Sequence, residues 1–135
     1  YAGAGNLSVL LAGIFTLHTI ESSEDACAAA RTNLETRGLT AKVTTGDAAA
    51  FRIPNGTQVL VLDPPRTGAR EVADQLAAAS RPPAVVYVSC DPPSLGRDLS
   101  ILEAAGFDLA ALETFEMFPR TSHVETLAVL RKARD

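Results

Sequence analysis

The feature that most constrains this chain is a recurring succession of a short, β-rich apolar run, a loop carrying an acid, glycine or thiol, and a helical stretch. Ile14 to Ile20 runs into Glu21, and Ala41 to Thr45 into Gly46-Asp47. Gln58 to Leu62 delivers Asp63-Pro64-Pro65-Arg66, and Ala84 to Ser89 delivers Cys90-Asp91-Pro92-Pro93. Apolar runs of this kind suit strands covered on both faces, and the intervening helices argue for a mostly parallel α/β sheet. Helices are expected from Leu7 to Ala12, from the caps Ser22 and Ser23 to about Arg37, from Arg70 to Ala79 and from Leu95 to Ala105, with stops at Gly13, Gly38 and Gly106. The end of the chain departs from the pattern. Phe107 to Phe115 and Val124 to Leu130 are joined by the loop Met117 to His123 with no helix, which predicts a terminal antiparallel pair.

In open α/β sheets, ligands collect outside the carboxyl ends of the strands. The residues that close each run are therefore the candidates for chemistry, and Cys90 is foremost among them. The bland alternative for Cys90 is an inert packed thiol. Cys27, within the alanine-rich stretch Asp25 to Arg31, is expected to be such a packing residue.

With 135 residues, the chain has room for one domain, taken as residues 1–135. No apolar run approaches the roughly 18 residues of a membrane span. Two cysteines make no disulfide framework, so a reducing cytoplasm is the expected compartment. The formal net charge of -4 opposes an unaided grip on a phosphate backbone. Any hold on a nucleic acid is expected to come largely from elsewhere. The chain opens at Tyr1, inside a glycine-rich turn, and reads as part of something longer whose preceding residues supply a strand.

That turn, Tyr1-Ala2-Gly3-Ala4-Gly5-Asn6, would let the backbone approach a ligand closely. A dinucleotide fingerprint would place a third glycine where Ser8 stands, which weakens a nicotinamide-cofactor reading. Glu21 is placed to accept hydrogen bonds from both hydroxyls of a ribose, or else is a solvated carboxylate leading a helix. Taken in order, the glycine loop, Glu21, Gly46-Asp47 and Asp63-Pro64-Pro65 resemble the loops of class I S-adenosylmethionine-dependent methyltransferases.

Three further motifs make the resemblance more specific. Asp63-Pro64-Pro65-Arg66, Ser89-Cys90-Asp91-Pro92 and Phe118-Pro119-Arg120-Thr121-Ser122-His123-Val124-Glu125 together look like the RNA (uracil-5-)-methyltransferase family, across essentially the whole chain. The resemblance implies a Rossmann-like, mostly parallel sheet flanked by helices, with an antiparallel C-terminal strand. It implies that the first central strand, between those ending at Glu21 and Asp63, is missing from this chain. An unpaired inner edge would then invite self-association. It implies S-adenosylmethionine as cofactor, held by Tyr1, Gly3, Gly5, Asn6, Glu21, Asp47 and Asp63. Cys90 matches the nucleophile that adds to C6 of uracil, and Glu125 matches the base that removes the C5 proton.

Asp63, Arg66, Phe118 and His123 are expected at the substrate, an rRNA or tRNA uridine swung out of its stack. For Asp63 the alternative is a turn cap, for Arg66 a partner acid, for Phe118 an ordinary core position, and for His123 a loop-holding role or that of a competing base. No metal site is expected, since an iron-sulfur cluster would need cysteines this chain lacks. A cytosine-specific enzyme would carry a second cysteine in the Asp63 loop, and an amino-group methyltransferase an aromatic residue where Arg66 stands. The remaining alternatives are a methyltransferase with another substrate, or a cofactor-binding module inactive on its own.

Overall fold

The computed structural model describes residues 1–78, 82–117 and 124–133. These residues form two compact units, Tyr1–Arg52 and Ile53–Asp135. None of the described helices is long and apolar enough to cross a membrane.

The first unit holds α1 (Asn6–Ala12), β1 (His18–Glu21), α2 (Glu24–Glu35) and β2 (Lys42–Thr45). β1 and β2 pair in parallel, from His18 opposite Lys42 to Glu21 opposite Thr45. The strand expected from Ile14 begins only at His18, and Ile14 and Phe15 are largely exposed in the turn before it. Apolar character alone did not mark the boundary, because the described residues give these side chains little cover. α2 starts as expected: the Ser23 Oγ accepts the Ala26 N–H, and Glu24 and Asp25 complement the positive end of the helix. It buries Cys27, Ala30 and Leu34, a helical stripe in which Cys27 packs as predicted.

The second unit holds β3 (Val59–Leu62), α3 (Arg70–Ala78), β4 (Ala84–Ser89), α4 (Pro92–Ala104), β5 (Phe107–Phe115) and β6 (Glu125–Lys132). Its sheet runs β3-β4-β6-β5, with β3 and β4 parallel and β6 antiparallel to both of its neighbours. The expected terminal antiparallel pair is therefore present, and β6 is inserted between β4 and β5. Val85, Tyr87 and Ser89 of β4 are buried opposite Leu130, Ala128 and Thr126 of β6. This is the period-2 alternation of a sheet with one well-covered face. Val72, Ala73 and Leu76 of α3 are buried, as are Leu95 and Leu102 of α4. Replacing Leu102, fully buried, with alanine would cost about 2–5 kcal/mol through lost burial and the cavity left behind. α4 begins at Pro92, earlier than the Leu95 expected from periodicity, because the Asp91 side chain caps the Ser94 N–H and proline suits the first helical turn.

Candidate active site

In the first unit, three loop segments are tied together at one residue. Glu21 ends β1, and its Oε2 accepts the Gly3 N–H at 2.8 Å. Its Oε1 accepts the Ser23 N–H at 3.0 Å and the Ser22 hydroxyl at 3.2 Å, while its main-chain oxygen accepts the Gly46 N–H at 2.8 Å. Partial burial alone would raise the Glu21 pKa. The hydrogen bonds from Ser23, Gly3 and Ser22 outweigh that, and the carboxyl titrates below the ordinary glutamate range.

Gly5 has φ of +85°, and a Cβ there would lie 3.0 Å from the Ala30 Cβ of α2. Only glycine lets this turn lie so close to the helix. A Cβ on Gly3 would meet nothing within 4 Å, so the other arm of the turn faces open space. The Tyr1 amino group donates to the Ile20 carbonyl at 2.7 Å, and Asn6 is exposed at the start of α1. Asp47 is exposed too, with its Oδ1 accepting the Ala49 N–H at 2.9 Å in a tight turn.

In the second unit, the register of the sheet assembles the candidate reacting groups. Ser89 lies opposite Thr126 in the last pair of the β4–β6 ladder, with Cys90 the residue after Ser89 and Glu125 the residue before Thr126, the first of β6. Cys90 is a free, half-buried thiol, and Glu125 is half-buried. Leu62 lies opposite Tyr87, which brings Asp63 to the same carboxyl edge. Asp63 is exposed, yet the protein around its carboxyl removes enough water to raise its pKa above the ordinary aspartate value.

The turn after Cys90 is fixed by its neighbours. The Ser89 hydroxyl accepts the Asp91 N–H and donates to the Asp91 carbonyl, both at 3.1 Å, and the Asp91 Oδ2 accepts the Ser94 N–H at 3.0 Å. Hydrogen bonds from Ser94, then the charges of Arg66 and Arg97, hold the Asp91 carboxyl below the ordinary aspartate range. Arg66 is exposed and its charge acts on the turn that carries Cys90. Phe118 and His123 lie outside the described residues.

A buried polar cluster in this unit was not anticipated. Asp98 and Tyr87 are fully buried and hydrogen-bonded to each other at 2.7 Å, and Arg97 pairs with Asp98 at 2.7 Å. A signal existed: Leu95, Asp98 and Leu102 share one helical stripe, so a carboxylate stood on the apolar face of α4. Among the described residues, no group of acids, histidines and cysteines is arranged to hold a metal ion.

The tRNA (uracil-5-)-methyltransferase family matches residues 54–133. A 23S rRNA (uracil(1939)-C(5))-methyltransferase of Pseudoalteromonas translucida is 37% identical over 98% of this chain and 31% of its own length. An uncharacterized RNA methyltransferase of Listeria innocua is likewise 37% identical, over 96% of this chain and 30% of its own. Among solved structures, the tRNA (uracil-54, C5)-methyltransferase of Pyrococcus abyssi, in complex with S-adenosyl-L-homocysteine, superposes with a TM-score of 0.88 at 30% identity. That superposition covers 96% of this chain and 32% of the archaeal one. The chain thus spans about a third of the length of the relatives it matches. The fold is the Rossmann-like one of class I methyltransferases, as the loop order implied. By family match and sequence identity together, the chain belongs to the tRNA (uracil-5-)-methyltransferase family.

Proposed function

We propose that residues 1–135 form the catalytic domain of an S-adenosylmethionine-dependent RNA methyltransferase that makes 5-methyluridine in rRNA or tRNA. The observation that carries this reading is the final β4–β6 pair, Ser89 opposite Thr126, which is flanked in sequence by Cys90 and Glu125 at the carboxyl end of β4. C5 of uracil is a poor nucleophile. Addition of the Cys90 thiolate to C6 breaks the C5=C6 bond and places its electron pair on C5 as an enolate. S-adenosylmethionine, when bound, supplies an electrophilic methyl on a sulfonium. Once C5 carries both the methyl and its original proton, the Glu125 carboxylate takes that proton. The released electron pair re-forms C5=C6 and expels the Cys90 thiolate, so the enzyme returns unchanged.

The cofactor fits the first unit's loops. The open side of Gly3 offers a backbone approach, and Glu21, already ionised and oriented by Gly3, Ser22 and Ser23, retains lone pairs for ribose hydroxyls. Tyr1, Asn6 and Asp47 complete the set in this unit that would hold it. Asp63 and Arg66 engage the uracil and its phosphate, with Phe118 and His123 at the substrate.

The net charge of -4 implies that the RNA is gripped mainly by other parts of a longer protein. β3 has a strand on one side only among the described residues, and this open edge favours association of isolated chains. On this reading the protein works in the cytoplasm, where thiols stay reduced.

The test is Cys90→Ala in the full-length protein, assayed for methyl transfer to uridine in RNA. Loss of turnover with cofactor binding retained supports the covalent route, and retained turnover removes it. An intact protein that binds S-adenosylmethionine without methylating any RNA would instead point to a binding module.

A further inference from the structure

The cluster beneath the Asp63 loop is costly by ordinary stability arguments. Asp98 is fully buried on the apolar stripe of α4, where a well-packed hydrocarbon would serve stability at least as well as an ion pair. Its bonds show what the carboxylate does instead. Oδ2 accepts the Tyr87 hydroxyl and the Ala69 N–H, each at 2.7 Å. Oδ1 accepts the Arg97 Nε at 2.8 Å and pairs with Nη2. The same Nη2 reaches over to donate to the Thr67 carbonyl at 2.9 Å, and the Ala69 N–H also approaches the Tyr87 hydroxyl at 3.0 Å.

All three main-chain contacts are to the turn 67–69, immediately after Asp63-Pro64-Pro65-Arg66. Gly68 within it has φ of +79°, and a Cβ there would come within 2.6 Å of both the Arg97 Nη2 and the Asp98 Oδ2. The turn is therefore pressed against the cluster. The three gripping side chains all belong to the segment that carries the thiol. Tyr87 lies three residues before Cys90 on β4, and Arg97 and Asp98 ride on α4, which starts two residues after it.

We infer that Tyr87, Arg97 and Asp98 are positioning residues that fix the Asp63–Arg66 loop relative to Cys90, so that a pyrimidine held by the loop presents C6 to the thiol. This rests on the function proposed above. The charges of Arg66 and Arg97 both act on Asp91, the residue after Cys90, which is consistent with the two loops meeting there. The cluster touches no reacting atom and works through the geometry of the loop it holds. A misplacement of about 1 Å at reacting centres can cost about 100-fold in rate.

The test uses the full-length protein with Arg97→Ala and the milder Tyr87→Phe, which keeps the ring and removes only the hydroxyl. Each is assayed well below its melting temperature for kcat, for KM of both substrates, and for the rate of covalent complex formation with 5-fluorouridine RNA. Expected are losses of about 10- to 100-fold in kcat and in adduct rate, with S-adenosylmethionine affinity within about twofold of the parent. Arg97→Lys, which keeps the charge but loses the fork reaching both Asp98 and Thr67, should recover only part of the rate. Lowered melting temperatures with parental kcat and adduct rate in the folded variants would overturn the inference and leave the proposed function standing. Failure of the parent itself to form the adduct would overturn both.

Discussion

The two loop clusters of this protein are organised in opposite ways. Around Glu21 the carboxylate is laden with hydrogen bonds from Gly3, Ser22 and Ser23, and its main-chain oxygen holds Gly46. Around Cys90 the order comes from strand register, and no hydrogen bond reaches the Cys90 thiol or the Glu125 carboxylate among the described residues. The contrast follows from what each is proposed to do. A group that orients a cofactor gains from being fixed and ionised before the ligand arrives. A nucleophile and a base must keep their lone pairs for the substrate, so the protein positions them by backbone pairing and supports them from a layer beneath.

The comparison breaks most sharply at Cys90. Cys90→Ala should lower methyl transfer by at least about 1,000-fold while leaving S-adenosylmethionine affinity unchanged, since the thiol belongs to one cluster only. Equilibrium dialysis with labelled cofactor, run beside the activity assay, checks both halves. Glu125→Gln should slow turnover by about 100- to 10,000-fold and let a methylated protein–RNA adduct build up, visible as a gel species resistant to denaturant. Release of the product at the parental rate would remove Glu125 from its role.

Glu21→Gln belongs to the other cluster and should show the reverse split. A hydrogen bond to a charged group contributes about 1.5–3 kcal/mol, so cofactor affinity should fall by about 10- to 100-fold with kcat at saturation little changed. Its pH behaviour sharpens the point. Because the folded pKa of Glu21 is depressed, its contribution to stability is fully present above the ordinary glutamate value of 4.5 and disappears as the pH falls through the lower folded value. Urea titrations at descending pH should show that acid limb in the parent and a weaker one in Glu21→Gln.

The smallest effect is expected at Asp63. Its raised pKa means that holding the ionised form costs the folded state something at neutral pH, a cost relieved as the pH falls through the raised folded value. Asp63→Asn should therefore raise the melting temperature slightly at neutral pH, by at most about 2 °C, while lowering activity. A lower melting temperature would mean that the carboxylate is structural.

Much of this was legible in the chain because the ends of strands are punctuated chemically. Three acids and a glycine, at Glu21, Asp63, Asp91 and Gly46, marked where each run stops, and β4 and β5 match the expected boundaries. The beginnings were less legible. Nothing about Ile14 and Phe15 as residue types says that the described residues would leave them largely exposed, and Asp91 and Pro92 had to be read as a cap and a first turn for α4 to start where it does. The Tyr87–Arg97–Asp98 cluster escaped for a different reason. Periodicity assigns a residue to a face, but whether a carboxylate there is buried depends on partners brought from Ala69 and β4 by tertiary structure.

The most direct measurement is to trap the full-length protein on 5-fluorouridine RNA in the presence of S-adenosylmethionine and map the attachment by mass spectrometry. The account predicts a single peptide bearing the methylated fluoropyrimidine on the sulfur of Cys90, because fluorine at C5 cannot leave as a proton does. Attachment at any other residue, or methylated RNA with no covalent complex at all, would contradict it.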